Sequence, residues 1–186
     1  AYEHCGNGGP DVGLVLDYLS QQCIGLGLRY ADDAAAGAEV QMVLQASAEQ
    51  KSISFPCVSP NGKYLMFTLS DYGNFSIWHP ESDLYIMDLT TGTTKNLENV
   101  NSSDVDSYHT WSSSGHWFVF SSKRMDGLWA RPYIAAFNPE TGETGKAFLL
   151  PQKDPMFYDN YTYTYNRPEL IKTAVKNGKE FEKIIQ

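Results

Sequence analysis

Positive charge is scarce in this chain: 14 Lys and Arg stand against 22 Asp and Glu, a formal net charge of −8. Binding to nucleic acid draws on clustered cations that displace counterions, so no nucleic-acid partner is expected. Long hydrophobic runs are missing as well, and no stretch approaches the roughly 20 apolar residues that span a bilayer, so no transmembrane segment is expected. Cysteine is limited to Cys5, Cys23 and Cys57, in neither a metal pattern nor a haem-attachment pattern. Cys57, between Pro56 and Val58 in an extended stretch, reads as a buried inert thiol. Cys5 and Cys23 would pair in an oxidising compartment, which the sequence leaves open. Cys5 follows Tyr2-Glu3-His4 rather than small apolar residues, so it does not read as a lipid anchor. No signal peptide is visible, and the chain begins at Ala1 without Met, as a processed or truncated chain does. There is no Gly-x-Ser-x-Gly elbow, no His-Glu-x-x-His and no phosphate-binding glycine loop. The reading is therefore a non-enzymatic protein, with no catalytic residues, no metal and no cofactor assigned.

What is present is a repeat. Ser59-Pro60-Asn61-Gly62-Lys63-Tyr64-Leu65-Met66-Phe67 and Ser112-Ser113-Ser114-Gly115-His116-Trp117-Phe118-Val119-Phe120 follow one pattern, with Gly62 and Gly115 53 positions apart. A period of that size, made of short strands and tight turns, predicts an all-β fold of β-propeller blades, each of four antiparallel strands. Aromatic residues at 13% suit pleated, half-buried strands.

The first full unit runs over 51–100. Strands are predicted at 52–58, 64–69, 83–89 and 94–97, with turns at Ser59–Gly62 and Thr90–Thr93 and a long polar loop at 70–82. The second unit, 101–150, repeats this with strands at 107–111, 117–122, 131–137 and 146–150 and a turn at Asn138–Gly142. Residues 1–50 read as a loop over 1–10 and then a partial, degenerate blade, in which Gly27 to Asp32 resembles the strand ending at Asp88 and Glu39 to Ala46 is its outer strand. An Ala-rich helix from Ala31 to Gln50 is the competing reading, weakened by Gly37. Residues 151–186 read as a carboxyl-terminal extension: a strand or extended arm with period-two alternation at Tyr161–Tyr165, then a short helix or frayed tail over Lys176–Gln186. Two blades and a fraction do not close a ring of four to eight. The chain thus reads as a partial propeller, the carboxyl-terminal blades of a larger one, with completion by another chain as the alternative.

Phe55 to Phe67 and Trp111 to Phe120, together with Asp83-Leu84-Tyr85-Ile86-Met87-Asp88, resemble the WD40-like (PD40) repeats of the TolB propeller family. The stretches Asn101 to Gly127 and Leu149 to Pro155 resemble a TolB-like subgroup of Gram-negative bacteria. Asn61 stands where that pattern has Asp, and Ser113-Ser114 where it has Pro-Asp; both keep turn chemistry. The resemblance implies a periplasmic or outer-membrane-associated scaffold that docks another protein or a wall-associated ligand. The alternative is the non-catalytic propeller of a prolyl-oligopeptidase-type peptidase.

Two loops are the candidate binding surfaces. The first concentrates aromatics where polar filler is expected, with Tyr72, Phe75, Trp78 and His79 as candidate contacts. Folding back onto a neighbouring blade is the competing reading. The second offers Arg124, Trp129 and Arg131, as an anion site or as a solvated loop with Arg on indole. His109 and His116, with Asp104 and Asp106, are either a metal or acid–base cluster or a hydrogen-bond brace, and the brace is the simpler reading. Asp104-Val105-Asp106 lacks the rest of a calcium loop.

Overall fold

The computed structural model describes residues 11–16, 23–29, 41–46 and 50–173. Among these the chain forms three antiparallel meanders and one short 3-10 turn. The first sheet has three strands, β1 (Asp11–Leu16), β2 (Cys23–Arg29) and β3 (Gln41–Leu44). The middle sheet is β4 (Ser52–Val58), β5 (Tyr64–Ser70), β6 (Asp83–Asp88) and β7 (Thr94–Asn96), hydrogen-bonded in chain order. The last sheet repeats that order with β8 (Asp106–Trp111), β9 (Trp117–Ser122), β10 (Arg131–Ala136) and β11 (Phe148–Leu149). This is a partial β-propeller.

The repeat seen in sequence is repeated atom for atom at its corner. Gly62 and Gly115 take φ of +73° and +71°, which glycine adopts without a Cβ penalty. Gly62 N–H donates to the Ser59 carbonyl at 2.8 Å, and Gly115 N–H to that of Ser112 at 3.0 Å. The hydroxyls of Ser59 and Ser112 then accept from the N–H of Tyr64 and Trp117. Farther along, Asp88 and Asn138 each use a side-chain oxygen to take two backbone N–H groups of the next turn. Asp and Asn do this because their short side chains mimic a turn's own carbonyl.

The innermost strands also match in their irregularity. β4 and β8 each break register, between Ser54 and Cys57 and between Ser107 and Thr110. Phe55 and Tyr108, again 53 apart, hold φ of +52° and +58° there and meet edge to face at 4.9 Å. A bulge of this kind bends the strand that carries it and sharpens its twist.

Sheets pack face to face. One face of β5 (Tyr64, Met66) with Leu84 and Ile86 meets Trp111, Phe118, Phe120, Tyr133 and Phe137 of the last sheet. The other face (Leu65, Phe67) packs with Met87, Ile53, Leu44 and Ala46 toward the first sheet. Trp111 Nε1 donates across the seam to the Cys57 carbonyl at 3.2 Å, so the indole is buried without an unmet donor. Cys57 is buried at that seam.

Three expectations need correction or placement. Gln41–Leu44, within the stretch read as an outer strand rather than a helix, is strand and pairs with β2. Tyr161–Tyr165 forms no ladder. It runs as an arm pinned by single bonds, with Tyr161 stacked on Phe157 and Tyr165. The loop at 1–10 and the helix at 176–186 lie outside the described residues, as do the side chains of Cys5 and Cys23.

Candidate functional site

Each four-stranded sheet joins its second and third strands by a long loop, 71–82 in the middle sheet and 123–130 in the last. Both loops therefore emerge at the same end of the stack. In the first, Ser76–Trp78 makes one 3-10 turn, with Trp78 N–H donating to the Phe75 carbonyl at 2.9 Å. The turn is anchored below by Ser76, whose hydroxyl lies 2.6 Å from that of Ser107 in β8. Above the anchor the aromatics point outward: Tyr72, Phe75 and Trp78 are 63%, 72% and 71% exposed. Phe75 sits at φ +59° and ψ +55°, a left-handed conformation that costs a residue with a Cβ about 1–2 kcal/mol.

His79 braces this loop. Its Nε2 bonds to the Asn74 carbonyl at 3.1 Å, its Nδ1 stands 3.4 Å from Glu81, and Tyr72 meets the ring edge to face at 4.6 Å. Gly73, at φ +75°, lets the chain turn against the same imidazole, 3.6 Å from where its Cβ would lie.

The second loop is pulled inward by its charges. Arg124 donates to Asp106, to the Val100 carbonyl and to Ser122, and its guanidinium lies 4.4 Å from the Tyr133 ring centre. Asp106 has no exposed surface and also accepts from the N–H and hydroxyl of Ser102. Burial lifts its carboxyl above the ordinary range, with Arg124 pulling the other way. Arg131 is buried and donates to Asp126 at 2.6 Å and to the Tyr158 carbonyl at 3.2 Å. Asp126 is raised by burial but held lower overall by the N–H groups of Trp129 and Leu128 and by Arg131. Trp129 is half-buried. What reaches solvent here is apolar instead: Met125 at 45% and Leu128 at 66%.

One contact joins the two loops. Lys123 Nζ lies 3.7 Å from the centre of the Trp78 ring. Lys123 is only 5% exposed, and its ammonium is pushed below its usual range by burial, while Asp104 and Asp126 raise it. An ammonium stripped of water on an indole face is a favourable cation–π geometry.

Of the residues singled out in the sequence, Tyr72, Phe75 and Trp78 thus form an exposed aromatic ridge, with His79 as its support. Arg124 and Arg131 are turned into internal ion pairs rather than presented to a ligand, because Asp106 and Asp126 lie within reach. Lys123 reads in sequence as one of three cations beside Trp129, but the fold sets it on Trp78 of the other loop; the exposed Met125 and Leu128 were not singled out.

His109 lies in the interior with no exposed surface, its Nε2 3.2 Å from the Met66 carbonyl. Burial pulls its pKa down to about 3. It is a neutral brace between sheets, and His116 is separate from it on the solvent side of the turn. Among the described residues no three His, Cys, Asp or Glu side chains converge as a metal site.

No family model matches the chain, and no curated protein matches it. Solved structures do. An oligogalacturonate lyase in complex with manganese is similar at TM-score 0.50 and 12% identity, over 75% of this chain and 39% of that one. The β-propeller domain of the Trilobed protease from Pyrococcus furiosus is similar at TM-score 0.44 and 14% identity, over 82% of this chain and 44% of that one. The acylaminoacyl peptidase of Pyrococcus horikoshii follows at TM-score 0.40 and 14% identity, over 77% and 23%. The chain spans less than half the length of each of these, and the likeness is one of fold.

Proposed function

We propose that this propeller segment is a docking module, whose loop end binds another protein through Tyr72, Phe75 and Trp78, flanked by Met125 and Leu128. The observation that carries the reading is Phe75: a strained left-handed backbone holds a large apolar ring 72% in water. Strain of that kind persists where a site uses it. Exposed aromatics on a braced base are the usual anchors of a protein interface. The TolB-like resemblance of the repeats supports a place in the cell envelope, periplasmic or at the outer membrane. It supports a scaffold role rather than catalysis.

The test is capture of partners from an envelope extract on immobilised protein. Phe75→Ala and Trp78→Ala should each reduce the captured partner at least tenfold, with the urea midpoint moving little in the first and stability falling in the second by no more than the lost Lys123 contact, about 2 kcal/mol. An unchanged capture, or a collapse of stability in both variants, would assign the ridge to packing. Fractionation of cells for the native protein checks the location, and recovery in the cytosol would overturn it.

A further inference from the structure

Lysine is seldom enclosed in a protein unless a carboxylate or a set of carbonyls receives its charge. This chain inverts the usual order. Lys51, Lys63 and Lys95, on the surface, each reach a carboxylate: Asp71, Glu140 and Glu143. Lys123, only 5% exposed, reaches none. Among the described residues its ammonium makes no hydrogen bond and no ion pair; what it meets is the Trp78 ring, 3.7 Å from Nζ to the ring centre.

The neighbouring acids are committed elsewhere. Asp126 accepts from the N–H groups of Leu128 and Trp129 and from Arg131. Asp104 accepts from the N–H of Val105 at 2.7 Å, and its other oxygen faces Gly127, 3.2 Å from where a Cβ would lie. Both carboxylates act on Lys123 through space, holding up a pKa that burial pulls down, but neither accepts a hydrogen bond from it. The cluster shared by the two loops, Ile77, Val105 and Ala130, is apolar and offers no side-chain acceptor.

An ammonium carries three donors, and a ring face engages one side of it. The remaining donors are unmet where water is largely shut out, and an enclosed charge in that state is costly. The side chains nearby that do reach solvent are apolar: Phe75 and Trp78 in the first loop, and Met125 and Leu128, two and five positions beyond Lys123, in the second. The complement of this surface is an oxygen anion carried on an apolar body.

We infer that the ridge takes a carboxylate attached to an apolar group, supplied by the docked protein, with the carboxylate bonding to Lys123 and the apolar part lying on Phe75, Trp78 and Leu128. The assignment rests on the docking reading above and gives the partner's contact its chemistry. One negative charge matches the one unmet cation, and a hydrogen bond between two charged groups away from water is among the stronger ones. The chain's net charge of −8 repels acids in general, so affinity for one marks a local site.

N-acetylphenylalanine and N-acetylphenylalaninamide provide the test, because they differ only in the charge of one end. Each is titrated into the full chain at neutral pH and low salt, and NMR follows the Trp78 indole N–H and the Lys123 side chain in protein with isotope-labelled lysine. The acid should shift both signals and bind at least tenfold more tightly than the amide. Lys123→Met, which keeps an apolar stem, should bring the acid down to the level of the amide, and Lys123→Arg should keep the preference. Phe75→Ala should weaken acid and amide alike. Equal binding of the two probes at the ridge would overturn the carboxylate while the docking surface stands, with a neutral acceptor in its place. An acid preference that survives Lys123→Met, or binding of neither probe at tens of millimolar, would also overturn the inference, and partner capture by Phe75→Ala then decides the docking reading separately. The native chain alone gives the acid–amide comparison, so a variant that fails to fold leaves the decision intact.

Discussion

His109 shows how much one enclosed ring can contribute to the pH response of the fold. Its ordinary pKa of 6.5 is pulled down to about 3 by burial, with the Met66 carbonyl pulling the other way. Below pH 6.5 the unfolded chain therefore takes up a proton that the folded chain refuses. Stability present at neutral pH is lost as pH falls through that window, and the loss amounts to about 2–3 kcal/mol at pH 4.5. Urea unfolding at pH 7 and 4.5 should show this, with a visibly shallower dependence in His109→Gln, which keeps a donor for the Met66 carbonyl and has no proton to gain. An equal pH slope in the two proteins would remove His109 from the account. Other residues were not readable in this way. Arg124 and Arg131 look, in sequence, like free cations beside an indole; only the fold brings Asp106 and Asp126 onto them.

The hairpins that close the third and fourth strands make a controlled comparison. Gly92 and Gly142 have nearly the same φ, +73° and +70°, but Gly92 has open space around it. A Cβ on Gly142 would lie 2.8 Å from the Tyr64 ring of the neighbouring sheet. Gly92→Ala should cost about 1 kcal/mol, the left-handed backbone penalty alone. Gly142→Ala should cost about 2–3 kcal/mol, since it adds overpacking at a sheet seam. Chemical denaturation of the two variants measures the difference, and equal losses would mean that the hairpin yields freely. At this scale the sequence was most legible. Strand positions and turns followed from Pro60-Asn61-Gly62, Ser113-Ser114-Gly115 and the Asx turns at Asp88 and Asn138, where local chemistry decides the backbone. It was least legible at Tyr161–Tyr165, whose alternation matches a strand but whose hydrogen-bond partners are not supplied by its neighbours in the chain.

For the whole molecule, the seam between the two four-stranded sheets, built from Tyr64, Met66, Leu84 and Ile86 on one side and Trp111, Phe118 and Phe137 on the other, couples their stabilities. The propeller architecture was visible in the 53-residue period because each sheet solves the same packing problem, whereas the docking surface depends on which side chains the loops leave in water. The ammonium of Lys123 against Trp78 spans that boundary: it ties a loop of one sheet to a loop of the next. Any slippage between those two sheets must lift a positive charge off the indole ring of Trp78, so a change in the summed emission of the four tryptophans should accompany the parting of neighbouring blades.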